Sequence, residues 1–185
     1  MLKKILFLFK NILRLPLDKI KDNNIHFTSR LSGNTKISRT DIGKNCYIAC
    51  NTVIVNTKVG NYCSIAPGVQ IGGMEHSYWW YSTSTFLSNQ CKENNRVNIG
   101  SDVWIAGGAI IKQGITIGNG SVIGALSFVN KDVPENSIVI GSPARIIKQR
   151  FDSEVFAKLK RTRFWEYDVK EAKLILEEFE MKYKK

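Results

Sequence analysis

The sequence predicts an all-β solenoid, a parallel β-helix with one inserted loop, a short N-terminal helix and C-terminal helices. Three observations predict it. Ile99, Ile105, Ile111, Ile117, Ile123 and Val129 recur every six residues, and a small residue follows most of them: Gly100, Ala106, Gly118, Gly124. Apolar residues at a spacing of six cannot share one face of a 3.6-residue helix, so no helical pattern competes. Each six-residue unit then forms one flat side of a triangular coil of about eighteen residues. The aliphatic side chain points inward and stacks on its equivalent about 4.8 Å away in the next coil. Ile99 should therefore lie on Ile117, and Ile105 on Ile123.

Residues 1–24 read as an amphipathic helix. Leu2, Ile5, Leu6, Phe9, Ile12 and Leu13 share one face, Lys3, Lys4, Lys10 and Arg14 lie largely on the other, and Pro16 should end it. The apolar run is too short to span a bilayer and no small-residue cleavage site follows. Two readings stand: a cap over the open end of the solenoid, or an interfacial helix in peripheral contact with the inner membrane through residues 1–17.

The solenoid is expected over residues 25–150. Its first part carries Leu31, Ile37, Ile42, Ile48, Ile54, Val59, Ile65 and Ile71 at steps of five and six, a five-residue step shortening one corner. Asn45, Asn51, Asn56, Asn61 and Gly33 suit the tight corners. Cys46 and Cys63 occupy small-residue slots and read as buried apolar side chains. The phase breaks after Gly73 and resumes near Val97, leaving an inserted loop over 74–96. Its aromatic residues Tyr78, Trp79, Trp80, Tyr81 and Phe86 argue that it folds onto something. Residues 151–185 read as a helical tail with two apolar stripes, one of Val155, Phe156, Leu159, Phe164 and Trp165 expected on the last coil, the other of Leu174, Ile175, Leu176 and Phe179.

The run IGSDVWIAGGAIIKQGITIGNGSVIGALSFVNKDVPENSIVIGSPARIIKQRF, strongest from Asp102 to Ala144, resembles the signature half of the left-handed β-helix, hexapeptide-repeat acetyltransferases. The likeness is nearest to their polysaccharide O-acetyltransferase and xenobiotic acetyltransferase branch. It implies a left-handed coil, which the period alone does not give, a homotrimer with active sites between subunits, and acetyl-CoA as acyl donor.

The resemblance also implies site residues. His76 opens the loop, in GGMEHSYWWYSTSTF, where the family has its general base, and the Ser-Thr-x-x-Phe pattern from Ser82 to Phe86 is similar to that of glycan and xenobiotic acetyltransferases. Acetyl transfer to a hydroxyl needs a group that titrates near neutral pH to take the acceptor proton. Adjacent residues on an extended chain point apart, so a backbone carbonyl rather than Glu75 is the expected orienter of His76. Gly107 and Ala125, eighteen residues apart, should stack at one corner and leave backbone groups open to the pantetheine arm. Asn130 and Lys131 stand where the family has Thr-Lys contacting the cofactor, and Arg145 and Lys148 where basic residues reach its phosphates. Two departures are Leu126, in place of the common Gly, and Asn130 itself. Trp79, Trp80 and Tyr81 could stack on a sugar ring or glue the loop to a neighbouring subunit. Trp104 is expected near the active-site edge. His26 reads as structural.

At 185 residues there is room for one domain plus appendages. The net charge of +11 concentrates in the two ends, and the nearly neutral repeat body offers no aromatic and basic platform, which argues against nucleic acid. Coenzyme A phosphates or anionic lipid account for the excess. The cysteines form no CxxC pair and no metal-like grouping with His, so no metal is implied and a cytoplasmic location is expected. The expected activity is acetyl-CoA-dependent O-acetylation of a sugar hydroxyl on a surface polysaccharide or its precursor. The alternatives are N-acetylation of a nucleotide-linked amino sugar, acetylation of a xenobiotic such as an antibiotic, and a non-catalytic solenoid scaffold.

Overall fold

A computed structural model of the chain describes residues 22–88 and 95–183. The first coil runs through β1 (Asn24–Ile25), β2 (Arg30–Leu31) and β3 (Lys36–Ser38), and the second through β4 (Asp41–Ile42), β5 (Tyr47–Ile48) and β6 (Val53–Val55). The third comprises β7 (Thr57–Val59), β8 (Ser64–Ile65) and β9 (Gln70–Ile71), and the fourth β10 (Val97–Ile99), β11 (Trp104–Ile105) and β12 (Ile110–Ile111). The fifth comprises β13 (Thr116–Ile117), β14 (Val122–Ile123) and β15 (Phe128–Val129). Every third strand stacks in parallel on the same face. The first face is β1-β4-β7-β10-β13, the third is β3-β6-β9-β12-β15, and the second runs from β2 through β5, β8, β11 and β14 to the chain's last two strands.

The register follows from the repeat. Ile99 pairs with Ile117 and Ile105 with Ile123. In the early coils Asn24 faces Asp41, a step of seventeen, whereas Asn98 faces Thr116, a step of eighteen, so the five-residue steps shorten a corner without breaking the stack. Each two-residue strand turns its second residue inward, and the inward residues form aliphatic columns: Ile48, Ile65, Ile105 and Ile123 on the second face, and Ile54, Ile71, Ile111 and Val129 on the third, all fully buried. Cys46 and Cys63 are buried as free thiols, each donating to a carbonyl of the next coil, Gly60 at 3.1 Å and Gly100 at 3.0 Å. Burial pushes the Cys63 thiol well above its ordinary range.

β16 (Ser137–Gly141) continues the second face parallel to β14, and the chain reverses at the cis Ser142–Pro143 bond into antiparallel β17 (Ala144–Gln149). Helices α1 (Ser153–Thr162) and α2 (Val169–Tyr183) follow, joined by a single 3-10 turn at Phe164–Glu166. The Asp152 carboxylate accepts the Glu154 N–H at 2.9 Å and so caps α1. The tail meets the last coil through Phe156 of its first apolar stripe, as expected, and continues past it. It turns back along the corner between the first and second faces: Phe156 lies over Gly120, Arg150 pairs with Asp102 at 2.7 Å, Tyr62 Oη donates to the Tyr167 carbonyl at 3.1 Å, and the Lys44 ammonium donates to the Glu166 carbonyl. Leu159, Phe164, Trp165 and Ala172 form its core with Tyr62, Phe151, Ile175 and Phe179, while Leu174 faces solvent. Tyr62 and Phe151 belong to the corner, so the apolar stripe closes on that edge.

The expected N-terminal helix lies outside the described residues except at 22–24, where Asp22 is in a turn and Asn24 opens β1, one residue before the expected start of the solenoid. Among the described residues, no helix is long and apolar enough to cross a membrane.

Candidate active site

The inserted loop leaves the third face through two glycines. Gly72 has φ +70° and Gly73 φ +105°, the left-handed region that side chains avoid, and a Cβ on Gly72 would lie 2.2 Å from the Val55 carbonyl oxygen. Beyond this exit, Lys112 Nζ lies 3.4 Å from the Glu75 carboxylate, and the buried Ser77 and Ser88 hydroxyls meet at 3.0 Å, which closes the loop on itself. On the returning limb, the Asn95 N–H donates to the Gln113 amide oxygen at 2.9 Å.

His76 is exposed between these anchors, with its Nδ1 2.8 Å from the Thr83 carbonyl oxygen. A carbonyl only accepts, so Nδ1 carries the proton and Nε2 is left as the basic nitrogen. The same backbone carries the aromatic residues. Tyr78 meets Trp79 edge-on at 5.3 Å between ring centroids, and Trp80, half-buried, meets Tyr81 at 6.0 Å. Tyr81 is 99% exposed and Phe86 98%.

A second group gathers at the corner between the second and third faces. The Leu126 N–H donates to the Gly107 carbonyl at 3.0 Å, which stacks Ala125–Leu126 on Gly107–Gly108. A Cβ on Gly107 would meet only the Pro67 carbonyl oxygen, at 3.6 Å, so the corner is open there. Trp104 points outward on the second face between Ser64 and Val122, half-exposed. Arg145 and Lys148 lie on β17, at the end of that same face. Both are exposed, and among the described residues neither they nor Lys131 make an ion pair. An open glycine edge leading to cations without acidic partners fits an elongated ligand that ends in phosphates.

The two groups sit on opposite edges of the third face. His76, its loop and Lys112 are at the corner between the third and first faces, with Asn130 and Lys131 one coil further along that corner. Gly107 and Ala125 are across the face, and Trp104 is on their side rather than with the loop aromatics. A single chain therefore does not bring the six expected cofactor contacts together, nor His76 to Gly107. The sequence reading missed two supports of the site, Thr83 as the carbonyl partner of His76 and Lys112 as the partner of Glu75. Lys112 follows β12, which pairs with β9, so it stands beside the glycine exit. That neighbourhood is computable once Gln70 is known to face Ile110 across the insertion.

Comparison with known proteins agrees with this architecture. A model of the bacterial transferase hexapeptide, six repeats, matches residues 96–131. The chain is 38% identical over 108 residues to a chloramphenicol acetyltransferase of Agrobacterium fabrum, covering 52% of each. The chain spans about half the length of the curated relatives it matches. Among solved structures, a hexapeptide-repeat-containing acetyltransferase of Vibrio cholerae, in complex with acetyl coenzyme A, is 30% identical with a TM-score of 0.66, covering 76% of this chain and 78% of that one. A maltose O-acetyltransferase of Clostridium difficile is 30% identical with a TM-score of 0.62, covering 74% of each chain. With the repeat, the coils and three quarters of a relative's length held in common, the chain belongs to the hexapeptide-repeat acetyltransferase family.

Proposed function

We propose that this protein transfers an acetyl group from acetyl-CoA to a sugar hydroxyl of a surface polysaccharide or its precursor, with His76 as general base. The observation that carries the reading is the exposed His76 ring, its Nδ1 proton held by the Thr83 carbonyl and its Nε2 directed away from that bond. Nε2 takes the proton of the acceptor hydroxyl as the oxygen attacks the thioester carbonyl. A C–O bond forms, the C–S bond breaks, and the proton passes from His76 to the departing thiolate. No nucleophilic serine or cysteine is required.

Support for the donor comes from the open Gly107 and Ala125 edge, with Arg145 opposite Ile140 beside that corner and Lys148 further along β17 opposite Ile138, and from the relative whose structure holds acetyl coenzyme A. Support for a homotrimer comes from the division of the site. With His76 on one edge of the third face and the donor corner on the other, a three-fold assembly can set the loop of one chain against the donor corner of the next. Asn130 and Lys131 then approach the cofactor from the loop side. The exposed Tyr81 and Phe86 fit the same arrangement, since a lone chain gains nothing by projecting them into water. Trp79, Trp80 and Tyr81 form the wall against which a sugar ring stacks. Contact of residues 1–17 with the inner membrane would bring the protein to lipid-linked acceptors.

A second reading, acetylation of an antibiotic, is favoured by the identity to chloramphenicol acetyltransferases. Release of free CoA from acetyl-CoA against a panel of oligosaccharides, nucleotide-linked amino sugars and chloramphenicol separates the two. Release with an oligosaccharide alone supports the proposal, and release with chloramphenicol or an amino sugar alone replaces it.

A further inference from the structure

The corner between the second and third faces repeats one backbone conformation on every coil. Its turn residues with positive φ are Asn34 (+63°), Asn51 (+57°), Gly68 (+70°), Gly108 (+67°) and Leu126 (+58°). Four of the five are glycine or asparagine, the residues that adopt the left-handed region at least cost. Leu126 is the exception, and it gains no compensating burial, because it is 78% exposed. A leucine kept strained and exposed, where its column otherwise holds Gly or Asn, points to a role outside the fold.

Its position indicates which role. The Leu126 side chain leans along the corner toward the fourth coil, and its Cδ2 lies 2.7 Å from where a Cβ on Gly108 would be. It therefore occupies the space that Gly108 leaves open. The cations Arg145 and Lys148 lie beyond this point, toward the end of the solenoid, whereas the His76 loop leaves from the third coil. A thioester stretched between the two presents its reactive end at the level of the third and fourth coils, where the tip of Leu126 lies.

We propose that Leu126 is a specificity-determining residue, its side chain laid over Gly108 so as to narrow the donor groove and restrict the thioester to a short acyl group. This rests on the reading of the Gly107 and Ala125 corner as the donor edge. Discrimination by an apolar wall is worth roughly tenfold or more per methylene excluded.

The test uses the full chain with Leu126→Gly and Leu126→Ala, titrated with acetyl-CoA and butyryl-CoA by calorimetry and monitored for thermal stability. Glycine relieves the backbone strain and should hold or raise Tm, whereas alanine keeps the strain and removes only the bulk. The expected result is that wild type prefers acetyl-CoA over butyryl-CoA, which carries two more methylenes, by about a hundredfold or more, and that both variants lose most of that preference. An unchanged preference in both variants, or a loss with glycine alone, overturns the proposal. Equal binding of the two thioesters by wild type overturns it while leaving the donor edge standing. Failure of wild type to bind either thioester overturns both.

Discussion

The Nδ1 of His76 lies 2.8 Å from the carbonyl oxygen of Thr83, seven residues further along the same loop. The loop thus fixes the tautomer of its own histidine. His76→Ala removes the proposed base without touching the packed coils, so the expected outcome is a loss of turnover of about 10²- to 10⁴-fold with Tm unchanged. Steady-state kinetics beside a thermal melt checks this. Turnover that survives in His76→Ala would mean that another group takes the proton.

Lys112 and Glu75 bind the base of the loop to the fourth coil at 3.4 Å. Both side chains are partly exposed, so the pair is worth no more than about 1 kcal/mol of global stability. Its effect on the site is larger, because a shift of the loop moves His76, and a misplacement of about 1 Å can cost up to about a hundredfold in rate. Lys112→Ala should lower kcat by several-fold with a small change in Tm. The double exchange Lys112→Glu with Glu75→Lys should recover part of that loss, as a double-mutant cycle would show.

Gly72→Ala probes the exit from the coil. Alanine at φ +70° costs about 1 kcal/mol or more in backbone conformation alone, and the added Cβ would stand 2.2 Å from the Val55 carbonyl oxygen. Both Tm and turnover should fall. Gly107→Ala, at an open corner, should leave Tm unchanged.

The fold was legible because the core pattern is local and periodic. Ile105 pairs with Ile65 on one side and Ile123 on the other, and the second of these pairings followed from the step of six alone. Ile105→Ala should cost about 3 kcal/mol in a urea melt. The candidate site was nameable one residue at a time, His76 through the family resemblance and the stacking of Gly107 and Ala125 through their spacing. Its geometry was not, because that depends on which corner each residue occupies. Asn130 and Lys131 lie five and six residues beyond Ala125 in sequence, yet one side of the triangle separates them from it. Thr83 acts through a backbone carbonyl, which no residue type announces. The tail's return along the corner depended on Tyr62 and Phe151, two aromatics outside any repeat signal.

Asp102 gives a pH dependence. Burial raises its carboxyl above the ordinary 3.8, and the Arg150 guanidinium at 2.7 Å offsets only part of this. The folded state therefore holds that proton more tightly than the unfolded chain, and the contribution of Asp102 to stability falls as pH rises from about 3.8 through the raised folded value. Asp102 also has φ +56°, which asparagine tolerates. Asp102→Asn should flatten the pH dependence of Tm across that window. A Tm profile parallel to wild type would show that Asp102 titrates normally in the fold.

Subunit mixing tests most directly whether His76 of one chain serves the donor corner of the next, as proposed. His76→Ala and Gly107→Phe should each be inactive, the first without a base and the second with a blocked corner. If the chains are co-refolded in equal amounts, each site of a mixed trimer draws its loop and its corner independently, so about a quarter of wild-type activity should return. Heterotrimers that form, by native mass spectrometry, yet show no activity would contradict the shared site and return both groups to a single chain.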